Sequence, residues 1–213
     1  MTKNNNATVL KIYVDNPDQN KIDLLAQALK NGAVIIYPTD TVYGLGCDLY
    51  NHKAIERITR IKSFSSLKPI FSIICEDISQ VSQYTKVIGN DVFKMMKRVL
   101  PGPYTFILEA NGKIPKAINQ KRKTIGVRVP DNNINIALVK TLGNPIITTS
   151  IKLDDDIVEY FIDPLDIIET YEKQVDFIID GGMGHNTPSS IIDCTRDVPE
   201  VIREGAGNTD ILF

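Results

Sequence analysis

The sequence is poor in the residues that build disulfide frameworks and metal sites. Its three cysteines, Cys47, Cys75 and Cys194, are widely spaced and form no C-x-x-C pair, and its only histidines are His52 and His185. This pattern argues against a disulfide framework, a cysteine-rich zinc site and a histidine-rich metal site. It predicts a reducing, cytoplasmic environment.

Long apolar runs are missing as well. No stretch approaches the roughly 18 consecutive apolar residues of a membrane span. The first ten residues, MTKNNNATVL, contain no apolar segment of the kind that a signal peptide requires. We therefore expect no membrane association.

Signatures of three common enzyme classes are also absent. The glycine-rich stretch Gly181–Gly184 carries no Gly-Lys-Thr/Ser and precedes no predicted helix, which disfavours a P-loop NTPase. The missing G-x-G-x-x-G disfavours a Rossmann dinucleotide site, and the missing G-x-S-x-G disfavours a hydrolase triad. The formal net charge is only −2. RNA binding would therefore need a local basic patch, for which Lys113, Lys116 and Lys121–Lys123 are the candidates.

The residues that are present predict one soluble α/β domain spanning residues 1–213. Apolar residues make up 43% of the chain, enough for a packed core. Apolar runs alternate with helical patterns in about eight strands and four or five helices, and the late strands follow one another directly, which favours a mixed sheet. The predicted strands are Val9–Val14, Ala33–Tyr37, Pro69–Cys75, Tyr104–Leu108, Ile125–Val129, Pro145–Thr149, Val175–Ile179, Ile191–Asp193 and Val201–Arg203. The predicted helices are Ile22–Leu29, followed by Gly32 as a C-terminal glycine, then Ala54–Ile61, Asp91–Leu100 and a helix from the possible cap Asp131 to Leu142.

Polar segments next to the predicted strands are the candidates for chemistry, because open α/β sheets bind ligands at strand ends. Thr39, Asp40 and Thr41 follow a buried strand and supply two hydroxyls and a carboxylate. Gly44 and Gly46 then allow the backbone to approach a ligand closely. An ordinary polar turn explains this segment about as well as a binding site does.

Cationic and hydroxyl side chains recur in the later segments. Lys62 and Lys68 flank serines in a predicted loop, which suits phosphate binding, although a solvated basic loop is the commoner explanation. Arg128 lies in an apolar strand, so it either faces solvent or is held for a carboxylate or phosphate. Thr148 and Ser150 end another strand, and Ser150 is the better functional candidate because threonine is itself a common strand residue.

Taken in order, these segments resemble the YrdC/YciO family. The motif Tyr-Pro-Thr-Asp-Thr-Val-Tyr-Gly-Leu-Gly is the most specific. It is followed by a basic loop, Ile-Gly-Val-Arg-Val-Pro, Thr-Thr-Ser, Pro-Ser-Ser-Ile-Ile-Asp and a late arginine. The likeness runs from about Ile22 to Gly207, and the stretches Val175–Gly184 and Ile202–Gly205 are closer to the YciO branch. It implies a YrdC-like α/β fold, a twisted open mixed sheet with helices around a concave basic cleft, as a single domain with its core at about residues 20–207.

The resemblance also implies an activity, L-threonylcarbamoyladenylate synthesis. ATP, L-threonine and bicarbonate would give threonylcarbamoyl-AMP and pyrophosphate, usually with Mg²⁺, for the t⁶A modification of tRNA. Some members of the family also bind double-stranded RNA or tRNA. By position, the implied substrate-binding residues are Thr41, Arg128, Thr148 and Ser189, with Arg128 on the threonine carboxylate. The implied nucleotide-binding residues are Lys62, Lys68, Thr124, Ser150 and Arg203.

Three positions depart from the family pattern. Phe64 stands where the family has a phosphate-binding arginine, and phenylalanine cannot replace a guanidinium fork. Ile73 corresponds to a position where histidine is common. Lys152 replaces the asparagine of the usual Ser-Ala-Asn, and could contact a phosphate in its place. Each lost charged hydrogen bond would cost about 1.5–3 kcal/mol of binding if nothing compensates.

Three hypotheses follow from the residues and the resemblance. The first is a threonylcarbamoyl-AMP synthase, which needs charge neutralisation and positioning rather than a covalent nucleophile and so fits the missing triad. The second is a weakly active or non-catalytic paralogue that keeps the cleft for nucleotide or for double-stranded RNA or tRNA. The third is an enzyme of acyl phosphate or carbamoyl transfer that acts on another substrate.

Overall fold

The computed structural model describes residues 6–62, 71–115, 118, 123–154 and 159–212. Within these residues the chain forms twelve strands and six helices. The strands are β1 (Thr8–Lys11), β2 (Ile35–Tyr37), β3 (Gly44–Asp48), β4 (Ser72–Ile74), β5 (Tyr104–Glu109), β6 (Thr124–Arg128), β7 (Ile146–Ser150), β8 (Lys152–Asp154), β9 (Glu159–Tyr160), β10 (Phe177–Asp180), β11 (Ser190–Asp193) and β12 (Glu200–Arg203). The helices are α1 (Gln19–Lys30), α2 (His52–Lys62), α3 (Ile78–Tyr84), α4 (Asn90–Val99), α5 (Asn133–Leu142) and α6 (Pro164–Tyr171).

Ten of these strands form one mixed sheet, as the sequence predicts. Their order is β1-β10-β2-β3-β7-β4-β6-β5-β11-β12, while β8 and β9 form a separate hairpin. The pairs β1–β10, β10–β2, β4–β6 and β5–β11 are parallel and the others antiparallel. Among the described residues no helix is both long enough and apolar enough to span a bilayer.

The sheet divides the core into two apolar clusters. On the first face, Ile73, Phe106, Val127 and Ile147 pack with buried residues of α2, α3, α4 and α6. On the second face, a smaller cluster that includes Ile146 packs under α1 and α5. The second cluster occupies only part of its face, and the rest of that face carries polar residues.

Local sequence signals account for several helix ends. The α1 helix ends on a left-handed Gly32 with φ of 94°, whose N–H donates to the Leu29 carbonyl while that of Ala33 donates to the Ala28 carbonyl. This is the glycine-terminated helix end that the sequence predicts. The cap of α5, by contrast, is Asn132 and not Asp131, because the Asn132 carboxamide oxygen accepts from the Ile134 N–H at 3.1 Å.

The structure contains several elements that the sequence did not predict. The short helices α3 and α6 and the hairpin β8–β9 carry weak periodic signals, since the longest of them has eight residues. Strand β3 is the most instructive difference. Its Gly44 and Gly46 lie inside a fully buried strand and not in a ligand-binding turn, and a Cβ at Gly46 would come within 2.6 Å of the Ile147 carbonyl oxygen.

Candidate functional site

A strip of small and hydroxyl-bearing residues runs across the part of the second face that lies outside the apolar cluster under α1 and α5. Side chains alternate along a strand, and directly paired residues share a face. Ser72 of β4 pairs with Thr148 of β7 on one side and with Gly126 of β6 on the other. A Cβ at Gly126 would lie 2.5 Å from the Ser72 hydroxyl oxygen and 3.2 Å from Thr105 of β5. These positions of four adjacent strands, β7, β4, β6 and β5, therefore share one face, on which Ile107, the direct partner of Gly126, is a large apolar neighbour of the strip.

One end of the strip is tied to strand β2. The Tyr37 hydroxyl donates to Thr148 Oγ1 at 2.6 Å. Burial raises the pKa of the Tyr37 phenol well above its ordinary value, although the bond to Thr148 opposes this. Tyr37 therefore stays neutral and acts as a fixed donor. Ser150, directly opposite Gly44, continues the same side of β7.

An ion pair buried at the end of β6 forms the centre of the site. Arg128 Nη2 donates to Asp40 Oδ1 at 2.7 Å and to Thr41 Oγ1 at 2.9 Å, and the side chains of Arg128 and Asp40 are only 10% and 7% exposed. The Thr41 hydroxyl also lies 3.1 Å from Thr39 Oγ1, which donates to the Val42 carbonyl at 2.8 Å. The polar segment after β2 therefore closes onto Arg128 and is not an ordinary surface turn.

The other end of the strip is formed by β11 and β12. Ser189 Oγ lies 2.7 Å from Thr105 Oγ1, and Arg203 donates to the Ser189 carbonyl through Nε at 3.1 Å and Nη2 at 2.8 Å. Burial lowers the pKa of the Arg203 guanidinium; the Tyr160 phenol raises it and the positive charge of Arg128 lowers it. The positive charge of Arg128 thus disfavours that of Arg203, so an anionic ligand at this part of the face would be stabilised.

The glycine-rich loop supports the site from behind. The Tyr43 hydroxyl donates to the Gly182 carbonyl at 2.7 Å and accepts from the Gly181 N–H at 3.2 Å. Cβ atoms at Gly181 and Gly184 would lie 2.5 Å from Pro38 and 2.8 Å from Tyr43. Glycine is therefore needed here for close packing against the β2–β3 segment.

Seven of the nine implied site residues can be placed on or beside the strip. Six of them belong to the contacts or strand positions described above: Thr41, Arg128, Thr148, Ser150, Ser189 and Arg203. Thr124, the first residue of β6, shares the side of its strand with Gly126. Lys62 is the last residue of α2, which packs on the first face, so its part in the site stays a prediction. Lys68 lies outside the described residues.

The three positions that depart from the family pattern do not lie together on the strip as far as the described residues show. Phe64 also lies outside the described residues. Ile73 is fully buried in the first-face cluster, so its side chain points away from the strip, on which the preceding residue, Ser72, lies. Lys152 pairs with Tyr160, and its Nζ lies 6.0 Å from the centre of that ring. Of the proposed basic patch, Lys113 and Lys123 are described, whereas Lys116, Lys121 and Arg122 are not.

Five residues that contribute to the site were not among the site residues predicted from the sequence. These are Tyr37, Asp40, Ser72, Thr105 and Tyr160. The signal for Ser72 and Thr105 is the two-residue alternation of polar and apolar residues in β4 and β5, which becomes informative once the strand register is known.

The thiols do not belong to this site. Burial raises the pKa of Cys47 and Cys75 well above the ordinary thiol value, and it raises the pKa of Cys194 to about 12. Because a thiol reacts as its thiolate, these side chains are poor nucleophiles at neutral pH. The strip offers hydrogen-bond donors and positive charge, which suit a reaction driven by positioning.

Protein-held metal binding is not supported by the residues of the strip. No group of three or more His, Cys, Asp or Glu residues suited to a metal lies within the described parts of the chain. Asp40, the carboxylate at the centre of the site, is already paired with Arg128. These residues do not fit a magnesium cage built by the protein.

Comparisons with known proteins agree with this fold. The model of the Sua5/YciO/YrdC family, described as telomere recombination, matches residues 27–205. The chain is 43% identical over 199 residues to the uncharacterized protein YciO of Escherichia coli (strain K12), covering 92% of this chain and 95% of that one. It is 31% identical over 194 residues to the threonylcarbamoyl-AMP synthase of Vibrio vulnificus (strain YJ016), covering 87% of this chain and 99% of the synthase.

Two solved structures are also similar. The crystal structure of E. coli YciO matches with a TM-score of 0.90 at 40% identity, over 97% of this chain and 100% of the other. The crystal structure of P. abyssi Sua5 complexed with L-threonine matches with a TM-score of 0.87 at 25% identity, over 97% of this chain and 60% of the other.

Proposed function

Because the chain belongs to the Sua5/YciO/YrdC family, we propose that it is a threonylcarbamoyl-AMP synthase. The observation that carries the proposal is the buried cluster of Arg128, Asp40 and Thr41, placed on one sheet face with the hydroxyl strip and Arg203. A relative at 31% identity is itself a threonylcarbamoyl-AMP synthase, and a structural relative was crystallised with L-threonine.

The proposed chemistry needs no covalent enzyme intermediate. Threonine's amine and bicarbonate form a carbamate and water. A carbamate oxygen then attacks the α-phosphorus of ATP, the bond to the β-phosphate oxygen breaks and pyrophosphate leaves. Arg128 and Thr41 hold the threonine, and Arg203 neutralises phosphate charge. Such positioning and charge stabilisation supply most of the barrier reduction in reactions of this type.

The remaining polar residues complete the two parts of the proposed site. Thr148 and Ser189 face threonine, while Thr124 and Ser150 donate to the nucleotide together with Lys62 and Lys68. Mg²⁺ enters with the ATP phosphates, as is usual for an ion that keeps several of its waters. The product passes to tRNA modification.

The assay of this proposal is direct. The purified chain is incubated with ATP, Mg²⁺, bicarbonate and L-threonine, and pyrophosphate and the adenylate are measured. We expect both products only when threonine is present. Their absence beside an active synthase would overturn the proposal, and equal turnover with other amino acids would favour the carbamoyl-transfer alternative.

A weakly active or non-catalytic paralogue is the second candidate, and the loss of a cation at Phe64 favours it. The variant Phe64→Arg restores the arginine of the family pattern. If the missing arginine limits activity, this variant should raise adenylate formation by about 10- to 100-fold, the equivalent of one charged hydrogen bond. Salt-sensitive binding of tRNA or double-stranded RNA without any adenylate would instead support the paralogue.

A further inference from the structure

Asp40 has no role in the proposed reaction as set out above, yet it holds the arginine at the centre of the site. We infer that Asp40 is a positioning residue that, together with Thr41, occupies Nη2 of the Arg128 guanidinium and thereby orients the adjacent Nε–H toward one oxygen of the substrate carboxylate. This inference rests on the proposed function, since it concerns the threonine end of the same site.

The protein itself occupies one nitrogen of the Arg128 guanidinium. Its Nη2 carries two, and two acceptors lie within reach of it, Asp40 Oδ1 at 2.7 Å and Thr41 Oγ1 at 2.9 Å. Nη2 is therefore fully used by the protein. The fork cannot rotate without breaking a buried charged bond, so its remaining donors point in a set direction.

One of the remaining donors of Arg128, its Nε–H, has no acceptor within the part of the chain that the structure describes. Arg128 Nε is buried and has no hydrogen-bond partner among the described residues. A buried donor without an acceptor is costly, and such groups in native structures call for an explanation. An oxygen of a ligand carboxylate at Nε supplies one. Asp40 and Thr41 both belong to the β2–β3 segment, so the same short stretch of chain that binds Nη2 determines where Nε points.

Both oxygens of the Asp40 carboxylate are engaged. Its Oδ1 accepts from Arg128 and its Oδ2 accepts from the Asp131 backbone N–H at 3.1 Å. Asparagine has a single acceptor oxygen. In Asp40→Asn, whichever way the amide is turned, its NH₂ faces either the guanidinium or the Asp131 N–H, so one of the two bonds is lost and the negative charge that holds the fork is removed.

The chain offers a matched control on the other face of the sheet. Asp176 also pairs with one arginine, Arg57, and also accepts from a backbone amide, the Val34 N–H at 2.8 Å. The variant Asp176→Asn therefore makes the same chemical change to an arginine-paired aspartate, although here a single oxygen, Oδ2, accepts both bonds and the side chain is 37% exposed. Arg57 belongs to α2, which packs on the first face, away from the strip.

The test measures binding of L-threonine and of ATP separately by calorimetry, on the full chain, for the wild type and for D40N and D176N. Melting temperatures of the three proteins are recorded alongside. We expect D40N to weaken threonine binding by about 10- to 100-fold, the effect of one charged hydrogen bond, and to leave ATP binding within about twofold. D176N should leave both affinities unchanged.

The variant Asp40→Glu separates geometry from charge and serves if D40N fails to fold. It keeps the negative charge but moves the carboxylate by one methylene. Positioning predicts weaker threonine binding in this variant too, whereas a role in charge balance alone predicts wild-type affinity. Wild-type threonine affinity in D40N or D40E, or an equal loss of both ligands, overturns the inference. A wild-type chain that binds no threonine overturns the proposed function and the inference with it.

Discussion

The two faces of the central sheet differ although the same strands build both. On the first face β4, β5, β6 and β7 present Ile73, Phe106, Val127 and Ile147, all fully buried under helices. On the second face the same strands carry hydroxyls, a glycine and a guanidinium beside the apolar Ile74 and Ile146 of the smaller cluster. Under the proposed function, the first side of these strands serves packing and the second side also binds ligand, because alternation lets one strand serve both.

The Arg128→Ala variant should produce the largest effect. It leaves Asp40 as a buried charge without its partner, which costs about 3–5 kcal/mol of unfolding free energy. It also removes the receptor of the threonine carboxylate, so adenylate formation should fall at least about 100-fold. Urea unfolding and the pyrophosphate assay measure the two effects.

Arg57→Ala is the control for this variant. It breaks the pair with Asp176 on the first face, where the two side chains are 35% and 37% exposed, and should cost about 1 kcal/mol or less. Activity comparable to wild type in Arg128→Ala would show that the second face is not the binding face.

An intermediate effect is expected for Thr148→Val on the second face. The variant removes the acceptor of the buried Tyr37 hydroxyl, which costs about 1–3 kcal/mol of stability. It should also weaken threonine binding by about fivefold, since one neutral hydrogen bond is worth about 1 kcal/mol. Thermal unfolding and calorimetric titration test both. Thr149→Val changes the adjacent residue, whose side chain points to the first face, and should leave threonine affinity unchanged.

Ile147→Val should have the smallest effect and only on stability. Ile147 is fully buried in the first-face cluster, so the loss of one methyl group should cost about 0.5–1.5 kcal/mol. Affinities for threonine and ATP should match those of the wild type when measured well below the melting temperature. Loss of ligand affinity out of proportion to that stability change would contradict the division of the sheet into two roles.

Much of the architecture follows from local patterns. The main strands, the helices α1, α2, α4 and α5, and the mixed sheet are readable from apolar periodicity, and Gly32 marks the end of α1. The short elements α3, α6, β8 and β9 were not predictable, because a few residues give too little periodic signal. The cap at Asn132 and not Asp131 reflects the small difference between two residues that cap helices about equally well.

The candidate site shows the same division. Residues such as Thr41, Arg128 and Ser189 were found through an ordered motif that spans most of the chain, and the structure brings them to one face. Ser72 was not assigned to the site, since the face to which a residue points depends on strand register and changes with a shift of one residue. Strand β3 was not predicted because glycines such as Gly44 and Gly46 are unfavourable inside a strand.

The order of hydroxyl, glycine and cationic residues along the chain by itself determined the family resemblance and the chemistry that it implies. Only the tertiary structure decided which of these groups touch. The contact of Asp40 with Arg128 joins residues 88 positions apart, and Ser189 meets Thr105 across 84. Local periodicity reports which residues a strand buries, but pairing between distant strands depends on the packing of the whole sheet, and that packing placed a carboxylate on the arginine.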